Sequence, residues 1–306
     1  MLVHRRVIVG VALSAFAPVA CFAQQQQANK IHRIGFLGTG SAPGWVSNVE
    51  AFREGLRELG YVEGKNVVIE YRWADGKYER LPELAAEMVR LEVDVLVSYG
   101  TPGVRAAKQA TTKIPIVMAT SGDAIATGLV ASLGRPGGNV TGSTFFDPEL
   151  SAKRLELLKA AMPSAKRVAI LFNPANPQTR VVLQSIESAA KSLKLELQRF
   201  EVQGANEFEA AFLAMGKSRV DAVWVQQDPM IFTDVKKIAD LAREHRLPAI
   251  GFSGYVEAGG LIDYGVDFPR LFRRAAYFVD RILKGTKPED ISVEQPTVFD
   301  LAINLN

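Results

Sequence analysis

Two α/β lobes, each built on a doubly wound parallel sheet, are the architecture this sequence predicts. Three observations lead there. Short, nearly continuous apolar runs alternate with stretches of helical spacing, the pattern of strands covered by helices on both faces. The alternation stops at a glycine- and proline-rich stretch, Gly128 to Gly142, and then starts again. The chain has 306 residues, 48% of them hydrophobic, enough apolar material for two such cores.

The first array opens with a strand at Ile34 to Leu37 and a Gly/Ser turn, Gly38 to Gly44. Val49, Phe52, Leu56 and Leu59 then fall on one face of a helix, and Gly60 ends it. Asn66 to Tyr71 reads as the second strand, and Leu81, Leu84, Ala85 and Met88 mark the next helix. Strands at Val93 to Val97 and Ile114 to Met118 flank a helix from Val104 to Ala110. The second array places strands at Val168 to Phe172, Leu195 to Phe200, Ala222 to Val225 and Ala249 to Phe252. Its helices run from Gln178 to Leu193, through Phe208, Ala211, Phe212 and Met215, and through Ile238, Leu241 and Ala242. A long helix, about Phe268 to Lys284, and a last strand, Thr297 to Ile303, remain. These two extra elements predict that the chain crosses back between lobes. The expected division is 31–145 with 253–292 for lobe one, and 146–252 with 293–306 for lobe two.

The N-terminus has its own pattern. His4, Arg5 and Arg6 precede an uncharged apolar run, Val7 to Ala17, and small residues lead up to Ala23. That is the layout of a signal peptide, residues 1–23, followed by a Gln-rich spacer, 24–30. The reading is export to the periplasm. Val19-Ala20-Cys21 also resembles part of a lipoprotein box, although Pro18 stands where such a box carries Leu, so anchoring through Cys21 is the alternative. Cleavage after Ala23 removes Arg5 and Arg6, taking the net charge from +3 to +1, and with them the only cysteine. A near-neutral chain has no electrostatic call on nucleic acid or an anionic membrane.

Ala131-Ser132-Leu133-Gly134-Arg135-Pro136-Gly137-Gly138-Asn139-Val140-Thr141-Gly142 resembles a segment of the ABC-transporter substrate-binding family that includes tryptophan- and tyrosine-type receptors. Phe52 to Tyr61 and Phe172-Asn173-Pro174-Ala175-Asn176-Pro177 are similar to it as well, and the similarity runs from about Ile31 to Leu305. The resemblance implies the type I periplasmic-binding-protein fold: two lobes, a hinge of three crossovers and closure around a small molecule. It also implies an inner-membrane permease and its ATPase as partners. The protein is expected to be a monomer.

Ligands of open α/β sheets sit beyond the carboxyl ends of the strands, so the candidate site residues come from those loops. Thr39, Gly40 and Ser41 follow the first strand and offer backbone N–H groups and hydroxyls to an anion, or simply cap the next helix. With Pro43 where a third glycine is needed, the dinucleotide fingerprint fails. Trp45 reads either as a platform for a planar ligand or as packing. Pro102 makes Thr101 the expected N-cap of its helix, at a terminus suited to a carboxylate. Ser121 is favoured for a carboxylate by the resemblance, while Asp123 is either an ammonium partner or a cap. From the second array, Asn173 and Asn176 face the ligand's far side, and Asp228 is the best carboxylate for an amine, with a helix cap ahead of Pro229 as its other reading. Ser253 and Tyr255 follow the next strand, with Tyr255 placed to close over the ligand; Tyr264 and Asp267 are weaker candidates.

Catalytic signatures do not appear. His32 and His245 belong to no metal-ligand spacing, and the chain has neither a G-x-S-x-G elbow nor a Walker loop. No cofactor, metal or enzymatic activity is expected. The expected function is therefore the solute-binding component of an ABC importer, taking an amino acid, aromatic by resemblance. The alternative is a receptor that signals through a membrane partner.

Overall fold

The computed structural model describes residues 31–305. The signal peptide and spacer expected at 1–23 and 24–30, with Cys21, lie outside the described residues.

The first sheet has five parallel strands: β1 (His32–Gly38), β2 (Val67–Trp73), β3 (Val95–Tyr99), β4 (Ile116–Thr120) and β5 (Val140–Gly142), in the order β2-β1-β3-β4-β5. Central strands β3 and β4 are buried along their whole length, as their unbroken apolar runs predict. Helix α1 (Val46–Glu58) covers one face, and α2 (Leu81–Arg90) and α3 (Gly100–Ala110) the other. Gly60 stops α1 as expected: at φ +88° its N–H meets the Arg57 carbonyl, and that of Tyr61 reaches back to Leu56.

The second sheet has six strands in the order β11-β10-β9-β8-β6-β7. They are β6 (Arg167–Phe172), β7 (Glu196–Glu201), β8 (Ala222–Val225), β9 (Ala249–Gly251), β10 (Ile262–Gly265) and β11 (Asp300–Ile303). All neighbours are parallel except β10 and β11. Helices α4 (Asp147–Ala161) and α5 (Thr179–Leu193) pack one face through Leu155, Leu158, Val182 and Ile186. On the other lie α6 (Phe208–Lys217), the single turn α7 (Pro229–Thr233) and α8 (Val235–Glu244).

The chain passes between sheets three times, at 143–146, at 266–267 and at 295–299. The second passage carries it to α9 (Phe268–Leu283), whose apolar face packs on α1 and on β3 and β4 of the first sheet. This corrects the expected lobe boundary. Of residues 253–292, expected in lobe one, the stretch through β10 belongs instead to lobe two: β10 pairs with β9, and Tyr255 sits in the second lobe's core. The strand is short and contains Asp263, whose carboxylate accepts from Val256 N–H at 2.9 Å, so it lacks the apolar run that marks a strand. Val293 and Glu294, expected in lobe two, bond to Leu133 and Gly142 in lobe one. The segment Gly128 to Gly142 ends as edge strand β5, with Thr141 Oγ1 donating to Ile291 O at 2.7 Å.

Candidate functional site

The carboxyl ends of β1, β3 and β4 face those of β6 and β8 across a buried cleft. Gly100, Thr101, Thr120, Ser121 and Gly122 line it from the first lobe, and Asn176, Gln178, Gln227, Asp228 and Pro229 from the second. Aromatic rings close its sides: Trp45, Tyr99, Phe145, Phe232 and Phe268. Its free volume is about 30 Å³, room for a water molecule and for no amino acid.

The lobes approach closely here because glycine occupies the first lobe's contact points. A Cβ on Gly44 would lie 3.1 Å from Thr233 Cα, and one on Gly122 would lie 2.6 Å from Gln178 Cδ. Polar contacts bridge the same seam. Tyr78 Oη donates to Asp228 Oδ2 at 2.8 Å, Ser41 N–H to Thr233 Oγ1 at 3.3 Å, and Thr101 Oγ1 to Gln178 Oε1 at 3.5 Å. Trp45 packs at a tilt against Tyr99 (centroids 3.9 Å apart) and, across the cleft, against Phe232 (4.5 Å).

The first lobe presents hydroxyls. Thr101 and Ser121 oxygens lie 3.3 Å apart at the start of α3. Thr101 is not the expected cap: the helix starts at Gly100, two residues before the expected Pro102, and Thr101 lies within its first turn and lines the cleft. Thr120 Oγ1 is buried without a partner, as are Trp45 Nε1, Gln178 Nε2 and Gln227 Nε2. Buried donors without acceptors are costly, and four of them around one cavity mark a place for an acceptor-rich group.

Two buried carboxylates line the second lobe's side, and they differ. Asp228 caps α7, its Oδ1 accepting from Met230 and Ile231 N–H at 2.9 and 3.2 Å. Its Oδ2 accepts from Tyr78 and from Asn176 Nδ2, each at 2.8 Å, and Asn173 Nδ2 approaches Oδ1 at 3.4 Å. Burial raises its pKa, opposed by these hydrogen bonds. Asp147, at the start of α4, accepts one hydrogen bond, from Ser151 Oγ at 3.3 Å. Burial pushes its pKa up to about 6 despite Arg154, whose Nη1 lies 3.9 Å away. Arg154 is itself fully buried and turned elsewhere: Nε donates to Tyr264 O at 2.6 Å and Nη2 to Gln227 Oε1.

Of the predicted residues, the structure brings Trp45, Thr101, Ser121, Asn176 and Asp228 to the cleft wall. Thr39 and Gly40 stand behind it, holding Tyr99: Thr39 Oγ1 donates to Tyr99 O at 2.6 Å, and Gly40 N–H to Tyr99 Oη at 2.9 Å. Ser41 is a seam contact, and Asn173 supports Asp228 and the turn at Ala175. Three do not reach the cleft. Asp123 caps its own turn, accepting from Ile125 and Ala126 N–H. Tyr255 is fully buried against Gly251 and Gly260 in the second core. Ser253 packs beside Gly265, because β10 fills the space beyond β9 that was read as cleft. Sequence reasoning missed Tyr78, Tyr99, Phe145, Asp147, Gln178, Gln227, Phe232 and Phe268. Asp147-Pro148 repeats the Asp-Pro signal of Asp228-Pro229 and was the one available clue.

Outside the cleft, a groove of about 660 Å³ runs between α1, α9 and residues 294–300. Its Arg273 and Arg274 are already paired with Glu54, Glu58 and Glu294, so it offers fewer unmet groups than the cleft. Among the described residues no acidic, histidine or cysteine group has the form of a metal site, and no helix is long and apolar enough to cross a membrane.

The family model described as ABC transporter substrate binding protein matches residues 34–306. The chain belongs to that family. Membership confirms the resemblance carried by Ala131 to Gly142, and implies a small-molecule ligand, a transporter partner and a place outside the cytoplasm. A tyrosine-binding protein of Clostridioides difficile (strain R20291) is 27% identical over 92% of this chain and 81% of its own length. Among solved structures, the ABC domain from Streptococcus pneumonia in complex with L-Trp is 27% identical, with a TM-score of 0.81 over 89% of this chain and 92% of that one. The ligand-free, open structure of a substrate-binding protein with adhesive properties from Clostridium difficile is 25% identical, with a TM-score of 0.62 over 90% and 92%. These likenesses and the two mostly parallel sheets establish the two-lobed type I fold for this family member.

Proposed function

We propose that this substrate-binding protein captures an aromatic amino acid between its lobes and delivers it to the permease and ATPase of an ABC importer. One observation carries the reading. A single buried interlobe cavity joins unpaired polar groups of Trp45, Thr120, Gln178 and Gln227, two carboxylates and a sleeve of aromatic rings. A zwitterion with a ring needs those three surroundings. Thr101, Thr120 and Ser121, at the positive end of α3, bind the α-carboxylate, with Gln178 from the opposite lobe. Trp45, Phe232, Phe145 and Phe268 receive the ring. The tyrosine and tryptophan in the relatives' names support the ligand class. The higher TM-score to the L-Trp complex than to the open relative agrees with lobes drawn together as they are here. With a cavity this small, the lobes part to admit the ligand and close on it. The signal peptide at 1–23 directs the chain to the periplasm, where it acts as a monomer.

A thermal-shift and calorimetric screen of refolded mature protein tests this. The panel holds L-tryptophan, L-tyrosine, L-phenylalanine, L-leucine, benzoate and D-glucose. An aromatic amino acid at about 100 times its Kd is expected to stabilise the fold by about 2.7 kcal/mol. A response confined to sugars or to benzoate overturns the amino-acid reading.

A further inference from the structure

We propose that Asp147, and not Asp228, is the residue that binds the ligand's ammonium group and sets the preference for an amino acid over the corresponding acid. The proposal rests on the amino-acid reading above and goes beyond it by choosing between two carboxylates that share one cavity.

Hydrogen-bond capacity decides the choice. A carboxylate offers about four acceptor sites. Asp228 receives five donors: two helix N–H groups, the Tyr78 hydroxyl and the amides of Asn173 and Asn176. Nothing is left for an ammonium unless the cap or the seam is dismantled. Asp147 is just as buried, 2% exposed, and lines the same cavity, yet it receives only the long bond from Ser151 through Oδ1. Its nearest cation, Arg154, stays at 3.9 Å, because Tyr264 O and Gln227 Oε1 hold two of its nitrogens away. Arg154 is not part of the cavity wall, so Asp147 stands between an under-engaged guanidinium and the cavity. A buried carboxylate so placed lacks a close, hydrogen-bonded cation on its cleft side, which a ligand ammonium supplies.

Position agrees with capacity. Asp147 follows directly on the first passage between lobes, where Phe145 N–H donates to Ser121 O at 3.0 Å, and Asp147, Thr120 and Ser121 line one cavity. The ammonium and carboxylate of an α-amino acid are separated by a single carbon, so a short span between acceptor and donors is the requirement.

The experiment titrates wild-type, Asp147→Asn and Asp228→Asn proteins at pH 7.5 by calorimetry. The probes are L-tryptophan and 3-(indol-3-yl)propanoate, which differ only in the amino group, with L-tyrosine and its deaminated acid as a second pair. Wild type is expected to prefer the amino acids. Asp147→Asn should lose on the order of 100-fold for them and less than about threefold for the deaminated acids. Asp228→Asn should weaken both probes by a common factor, since it loosens α7 and the seam. If Asp147→Asn keeps the amino-acid preference while Asp228→Asn loses it, the assignment falls and the amino-acid reading stands. A wild type that binds both probes equally removes the ammonium altogether, and the reading falls with the assignment. Should Asp147→Asn fail to fold, a crystal structure of wild type with L-tryptophan decides. An amino nitrogen within about 3.2 Å of the Asp147 carboxylate supports the proposal, and one against Asp228 overturns it.

Discussion

Burial of Asp147 has a consequence for stability that does not depend on any ligand. Its pKa in the folded protein is about 6, above the 3.8 of an ordinary aspartate, chiefly because burial penalises the charged form. The folded chain therefore holds this proton more tightly than the unfolded chain does. Its contribution to stability is most favourable below about pH 4 and is lost as pH rises through about 6. A rise from 3.8 to about 6 corresponds to about 3 kcal/mol. Asp147→Asn does not titrate, so the stability of this variant relative to wild type should rise by up to that amount between pH 4 and pH 7. Urea titrations at both values check it, and carboxylates remote from Asp147 cancel in the difference. Asp228 behaves differently under truncation. Asp228→Ala strands the Tyr78 hydroxyl, two amides and two helix N–H groups, and should cost about 3 kcal/mol or more in the same assay. Which of these residues was legible depended on their neighbours. Asp228 follows an apolar strand, so its place at a sheet's carboxyl end was readable. Asp147 follows a passage between lobes, where no periodicity announces a position. Tyr255 looked like a cleft residue only because β10, with Asp263 inside it, did not look like a strand.

Among elements, α9 shows what a strong pattern conveys. Its buried apolar positions, Phe268, Leu271, Phe272, Ala275, Ala276, Phe278, Val279 and Ile282, follow three- and four-residue intervals, and its limits were predicted within a residue. The pattern did not say what the helix supports. Phe272 lies against Tyr99 and Trp45, with ring centroids 5.3 and 5.7 Å away, so α9 backs the aromatic wall of the cleft from behind. Phe272→Ala should lower stability by about 3–5 kcal/mol in a urea melt. It should also weaken ligand binding, because Trp45 loses its support. The single turn α7 was legible only as a cap before a proline. Five residues are too few for periodicity, yet they place Pro229, Met230, Phe232 and Thr233 at the seam.

For the whole molecule, two arrays and a break between them were enough to predict two lobes, and the leftover helix and strand were enough to predict crossings. The seam was not predictable, since it depends on two distant stretches meeting with no room to spare. Gly44 faces Thr233 and Gly122 faces Gln178, so side chains there limit how far the lobes draw together. Gly44→Leu should raise the radius of gyration in small-angle scattering and lower ligand affinity by roughly tenfold or more. Its effect on unfolding should stay near 1 kcal/mol, since the added bulk is relieved by parting the lobes. An unchanged radius would mean that closure is set elsewhere.

The contact of Trp45 with Phe232 joins one lobe to the other through a fluorophore. The chain has three tryptophans. Trp224 is sealed in the second lobe's core, and Trp73 is half-buried on an edge strand of the first, so neither changes surroundings when the lobes separate. Trp45 alone passes from a dry aromatic environment toward water. Its emission should shift to longer wavelength on opening and return on closure, giving the protein an intrinsic optical gauge of its own hinge that needs no label.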